Sequence, residues 1–177
     1  YMTSEDLAGN LTPDANADRL NIFLDTAGPQ VTNVEISGIP TFNLFGLKPD
    51  NTVEGPTPRI DSLTIRVQDL PNRSNLDPNF LYNALQAAVA SSPGNFILRG
   101  DHNGIIAIQS ITVINDAPVN GVPASAQVIL NFAQPLPDDR FTLTIKDNVV
   151  DPVGNKLDGE SNASEPIGTP TFPSGDG

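Results

Sequence analysis

An all-β sandwich of about seven short strands, with one short inserted helix, is the fold this sequence predicts. Three observations carry that expectation. Apolar and polar residues alternate in short runs, the pattern a half-buried strand requires because successive side chains point to opposite faces. Gly and Pro are abundant, 14 and 17 in 177 residues, and they fall between those runs as turn signals. Hydrophobic residues make up only 38 % of the chain, which suits a loop-rich β fold better than a helical bundle.

The elements follow in chain order. Leu20, Ile22 and Leu24 alternate with Asn21 and Phe23 in a short first run that precedes the turn Gly28-Pro29. Thr32, Val34 and Ile36 share one face of a run from Gln30 to Ser37, which Gly38-Ile39-Pro40 ends. Residues 40–58 are rich in Pro and Gly and read as a long loop. Leu63, Ile65 and Val67 then alternate with Thr64 and Arg66. Asp77 as an N-cap, Pro78 at the first helical position, and Leu81, Leu85, Ala88 and Val89 at helical spacing predict a helix through Ala90, which Pro93-Gly94 stops. Phe96-Ile97-Leu98 resumes the extended chain. The run from Ile105 to Ile114 is largely aliphatic and β-branched and reads as one central strand. Ala126, Val128, Leu130 and Phe132, and then Phe141, Leu143 and Ile145, give the two clearest alternations.

Charge and composition exclude several function classes. Twenty-one acidic against nine basic residues leave a net charge of -12, too little positive charge to neutralise phosphates and the wrong sign for an anionic membrane surface. No nucleic-acid partner and no membrane insertion are therefore expected. Without Cys there are no disulfides, thiolate metal sites or Cys nucleophiles, and with one His any imidazole chemistry rests on His102. No apolar run approaches the ~20 residues of a membrane helix. The start, Tyr1-Met2-Thr3-Ser4-Glu5-Asp6, lacks the basic-then-apolar order of a signal peptide.

A short repeat organises the chain. Asp6-Leu7-Ala8-Gly9-Asn10-Leu11 and Asp151-Pro152-Val153-Gly154-Asn155-Lys156-Leu157 both read Asp-x-x-Gly-Asn and then Leu, directly in the first and after one residue in the second. The first copy is expected to close a preceding unit and the second to close this one. Residues 1–27 are then the tail of a preceding repeat and its linking strand, 28–160 one sandwich domain, and 161–177 an acidic Gly/Pro/Ser linker. Gly28-Pro29 opening into Gln30-Val31-Thr32-Asn33-Val34, with the hairpin Pro135-Leu136-Pro137-Asp138-Asp139-Arg140-Phe141-Thr142-Leu143-Thr144-Ile145 entering the second Asp-x-x-Gly-Asn, resembles a family. Over 28–160 the chain resembles the bacterial Ig-like domains of S-layer and giant secreted surface proteins. The resemblance implies an Ig-like β-sandwich, a spacer, adhesion or assembly role at the cell surface, an extracellular location, and no enzymatic activity. The chain departs from the simplest members in the helix over 77–90 and the loop over 40–58. An individual binding role would lie in these insertions, because loops on a rigid scaffold carry binding.

Asp147, Asp151, Asn155, Asp158 and Glu160 place five oxygen-bearing side chains around Gly154. Calcium takes six to eight oxygen ligands at ~2.3 to 2.6 Å, so calcium is the cofactor this cluster suggests. A tight turn whose backbone is capped by Asp and Asn side chains explains the same residues without metal. Asp6 with Asn10 carries the same choice. Asp101-His102-Asn103-Gly104 is open to three readings: an exposed turn, a calcium loop or a proton-transfer site. Asp138-Asp139 suits turn chemistry better than a glycosidase pair, which needs two acids across a cleft. Arg99-Gly100-Asp101 matches an integrin-recognition tripeptide, and Asn10, Asn72 and Asn162 begin sequons in form.

The function expected from all of this is a structural or assembly module: a spacer, a surface-layer unit, or a filament subunit. In a filament the run 20–24 of one copy would complete an open sheet edge of the next. Its partners would be neighbouring domains or copies of itself. The alternative is an adhesion module that binds a glycan or protein through the 40–58 loop and the helix, with Phe42, Phe45 and Tyr82 as the stacking aromatics.

Overall fold

The computed structural model describes residues 25–40, 44, 58–69, 82–119, 122–159 and 171–175. The alternating runs become seven strands: β1 Gln30–Ile36, β2 Ser62–Asp69, β3 Phe96–Gly100, β4 Gly104–Ile106, β5 Ile108–Asn115, β6 Ala124–Phe132 and β7 Phe141–Ile145. They form a four-stranded sheet in the order β1-β2-β6-β5 and a three-stranded sheet in the order β4-β3-β7, with every strand pair antiparallel. Among the described residues this is an all-β sandwich with one short turn of α-helix.

Periodicity decides what faces inward. On β6, Ala124, Ala126, Val128, Leu130 and Phe132 are buried while the residues between them are half-exposed. Register carries that parity to the neighbours, since Val128 sits opposite both Ile65 on β2 and Val113 on β5. Phe96 and Leu98 on β3 face the same core from the smaller sheet, while Ile97 and Arg99 point out. Burying such side chains supplies the main driving force, at about 25 cal/mol per Å² of apolar surface removed from water.

Three expectations change. The run from Ile105 to Ile114 is two strands rather than one central strand. β4 pairs with β3 and β5 with β6, so the chain switches sheets at Ala107. An irregularity in register between Ile108 and Ser110 marks the corner, as strands that cross from sheet to sheet commonly show. β5 is consequently an edge strand of the larger sheet. The helix is also shorter than predicted. Residues 77–81 lie outside the described residues, Tyr82 to Gln86 are not helical, and α1 spans only Ala87–Ala90. Lateral bonds explain this: the Leu85 N–H donates to Asn115 Oδ1, its carbonyl accepts from Asn115 Nδ2, and the Gln86 N–H donates to the Val150 carbonyl. These backbone groups are satisfied by neighbours instead of by the next helical turn. Finally, residues 171–175, within the segment expected as linker, dock on the sandwich. The Ser174 N–H donates to the Val31 carbonyl, Ser174 Oγ accepts from the Val31 N–H, and Phe172 packs against the core. The run 20–24 lies outside the described residues.

The molecule has two poles. At the first lie the start of β1, the end of β2, the beginning of β6 and the loop after β7; at the second lie the β3–β4 turn and the β6–β7 loop. Leu130→Ala, at a fully buried position, is expected to lower stability by about 2 to 5 kcal/mol in urea unfolding. Ile105→Ser, at an outward position 74 % exposed, should change it by no more than about 0.5 kcal/mol.

Candidate functional site

The second Asp-x-x-Gly-Asn forms the tip of a small hairpin at the first pole. Val150 and Lys156 bridge in antiparallel fashion, and flanking Val149 and Leu157 are buried in the core. Between them the Asp151 side chain, fully buried, folds back on its own loop. Its Oδ1 accepts the N–H groups of Val153, Gly154 and Asn155 at 2.9, 2.6 and 2.8 Å, and its Oδ2 accepts Asn155 Nδ2 at 2.8 Å. Gly154 makes the loop feasible because it sits at φ +98°, a conformation L side chains rarely adopt. Asn155 Nδ2 also reaches the carbonyls of Asp25 and Ala27, at 3.2 and 3.0 Å. The motif thus caps a turn, as one of the two sequence readings held, and ties that turn to the segment leading into β1.

That tie brings a second carboxylate in, and β2 supplies a third. Asp25, Asp69 and Asp151 each offer a carboxylate oxygen, and these oxygens lie within 4.8 Å of one another. Asp69 and Asp151 are completely buried, and Asp25 is half-buried with its Oδ2 enclosed. Tyr82 stands beside them. Burial pushes its hydroxyl well above the ordinary tyrosine range, and the charges of Asp69, Asp25 and Asp151 push it further. Three carboxylates this close repel one another, and a cation between them would relieve that repulsion. The donor set is all oxygen, which suits a hard divalent ion such as calcium or magnesium over zinc or copper. Two oxygens on opposite sides of a calcium ion are about 5 Å apart, so the spacing fits one shared ion.

The residues proposed from sequence are distributed differently. Of Asp147, Asp151, Asn155, Asp158 and Glu160, the structure brings Asp151 and Asn155 together. Asp147 is exposed and pairs with Lys156 Nζ at 2.7 Å, and this contact holds its carboxyl below the usual range. Asp158 accepts Gln30 Nε2 at 2.9 Å beside a parallel bridge between the two residues, while Glu160 lies outside the described residues. So do Asp6, Asn10, Phe42, Phe45, Asn72 and Asn162. Sequence reasoning missed Asp25 and Asp69. Asp69 carried a signal: it continues the inward parity of Leu63, Ile65 and Val67, so a carboxylate stands where a core residue is due. Asp25 lies outside any periodic run and carried none.

At the second pole another enclosed carboxylate organises the β3–β4 turn. Asp139 Oδ2 accepts the backbone N–H groups of His102 and Asn103, both at 3.0 Å, and Asn103 Nδ2 at 2.8 Å. Its Oδ1 accepts the Arg140 N–H and lies 3.0 Å from His102 Nδ1. Gly100 is required beneath it, since a Cβ there would collide with Asp139 Oδ2. Burial acts to raise the Asp139 pKa, but the side-chain and backbone hydrogen bonds from Asn103 and His102 outweigh it and hold the carboxyl well below the usual range. Asp101 pairs with Arg140 at 2.7 Å.

No known protein family, curated protein or solved structure matches this chain. The site is therefore read from its own geometry.

Asp151→Ala removes the acceptor for three N–H groups in a buried loop and is expected to cost roughly 3 kcal/mol or more in urea unfolding. Asp139 gives a pH signature. Its folded form binds a proton less tightly than the unfolded chain, so protons favour unfolding. The stability difference between the native protein and Asp139→Asn should be constant above roughly pH 5. It should shrink as pH falls through ~3.9, the ordinary Asp value, toward the lower folded value. Denaturation curves across that range check it.

Proposed function

We propose that this chain is a non-enzymatic structural module of a secreted or cell-surface bacterial protein, of the Ig-like kind its motifs resemble, with its first pole held by a divalent cation. Calcium is the ion that the oxygen donors suit best. The observation that carries this reading is the trio Asp25, Asp69 and Asp151, two of them fully buried, with oxygens close enough to share one ion. Two enclosed carboxylates support a structural reading: Asp139, outside the trio, and Asp151, through its Oδ1, accept loop N–H groups. Among the described residues no helix is long and apolar enough to cross a membrane.

One feature favours an assembly unit over a linear spacer. The segment leading into β1 and the docked segment 171–175 lie at the same pole, joined through Val31, Asp158 and Ser174. A spacer that lengthens an array needs its flanking chain at opposite poles. Assembly by strand exchange would use the run 20–24, and the adhesion alternative would use the 40–58 loop; most of both lies outside the described residues.

Metal binding is tested by melting and by lanthanide luminescence. At a calcium concentration tenfold above Kd, binding adds about 1.4 kcal/mol, so Tm should rise by roughly 3 to 6 °C. Terbium at the same site should emit on tyrosine excitation, because Tyr82 adjoins the trio and the chain has no Trp. Excess calcium should quench that emission, and Asp69→Asn should abolish both responses. No change in Tm together with no sensitised emission at about 1 mM ion would remove the cation from this reading.

A further inference from the structure

The β3–β4 turn at the second pole contains a chemically reactive dipeptide that the structural role leaves unexplained. Asn-Gly occurs twice in the chain, at Asn103-Gly104 and Asn120-Gly121. Gly has no Cβ, so the nitrogen after such an Asn can reach the side-chain amide carbon more easily than before any other residue. Asn103 is exposed, and Gly104 follows it at φ +65°. Its side chain is nonetheless held: Nδ2 donates to Asp139 Oδ2 at 2.8 Å, and the Asn103 and His102 N–H groups share that oxygen at 3.0 Å. The Asp139 side chain is fully enclosed, so water competes poorly for it.

We propose that Asn103 is a deamidation site locked by Asp139, and that its modification opens the β3–β4 turn irreversibly. While the bond to Asp139 stands, the amide cannot turn its carbon toward the Gly104 nitrogen. Once the bond breaks, that nitrogen loses its proton to water and forms a bond to Asn103 Cγ. The Cγ–Nδ2 bond breaks, and Nδ2 leaves as ammonia after taking up a proton. Water then opens the five-membered imide at one carbonyl or the other, giving aspartate or isoaspartate. One water is consumed and one ammonia released, with no oxidant or reductant. The product replaces an N–H donor with a second carboxylate against Asp139, and like charges in that contact repel. The lock cannot close again, and the β3–β4 turn loses the acceptor that organises it.

Peptide mass mapping of protein aged at neutral pH tests this, with Asn120 in the same sample as the internal reference. In Asp139→Ala, conversion of Asn103 should rise about tenfold or more, the scale of one charge-assisted hydrogen bond, while conversion of Asn120 stays unchanged. An unchanged Asn103 rate, or an equal rise at both sites, overturns the lock. A second measurement does not depend on the variant folding. In the native protein Asn103 should convert at least about tenfold more slowly than in the same chain unfolded in urea, and equal rates overturn the proposal. Asn103→Asp, a mimic of the aspartate product, should speed hydrogen exchange at the His102 and Asn103 amides; unaltered protection would show that modification leaves the turn closed.

Discussion

The buried carboxylate of Asp151 is the constraint on which the first pole depends. A charge removed from water is tolerated only when its oxygens are met by donors, and here three consecutive N–H groups and one amide meet them. Meeting them forces the chain into the tight loop that Gly154 permits. The loop then aims Asn155 at the carbonyls of Asp25 and Ala27, which fixes how the chain enters β1. Leu157 and Asp158 follow onto the Val149 and Pro29 carbonyls, so one side chain organises two segments that sequence separates by more than a hundred residues.

The sequence made the framework legible wherever burial was periodic. β2, β6 and β7 stand where alternation placed them, because a one-residue slip would turn every apolar side chain toward water. Periodicity could not report that the run from Ile105 to Ile114 bends between sheets: Ile106 and Ile108 face the core before the register irregularity and Ile111 and Val113 after it, and a nearly continuous aliphatic run hides that change of parity. It also overstated the helix. Leu81, Leu85, Ala88 and Val89 have helical spacing, yet Asn115 satisfies the Leu85 backbone from a neighbouring strand, and a tertiary bond overrides a local preference. The site was half legible. The Asp-x-x-Gly-Asn turn follows from residue chemistry, and Asp69 was visible as an acid at core parity. Asp25 joins them through a contact spanning the length of the domain, which no local pattern encodes.

The two poles use the same device with different electrostatic consequences. Asp139 and Asp151 both gather backbone N–H groups around an enclosed carboxylate, holding loops that ladder hydrogen bonds do not reach. β3, β4 and β7 are short, so the smaller sheet has few ladder bonds, and the turn at Asp139 supplements them directly. At that pole the acid stands among donors and a histidine. At the other it stands among acids, whose like charges oppose one another. The first pole therefore gathers like charges, whereas the second sets its acid among hydrogen-bond donors.

That asymmetry matters because of where the flanking chain attaches. Segments 25–29 and 171–175 both meet the sandwich beside the acidic trio, through Val31, Asp158 and Asn155. Whatever occupies or neutralises the trio acts on the attachment point as well as on the fold. The second pole, carrying the exposed His102 turn, stands at the far end of the strands and is free of both segments. The fold thus keeps its acidic trio at the pole where segments 25–29 and 171–175 meet the sandwich and its exposed His102 turn at the opposite end of the strands, so the two enclosed carboxylates work in surroundings that differ in charge and in what is tied to them.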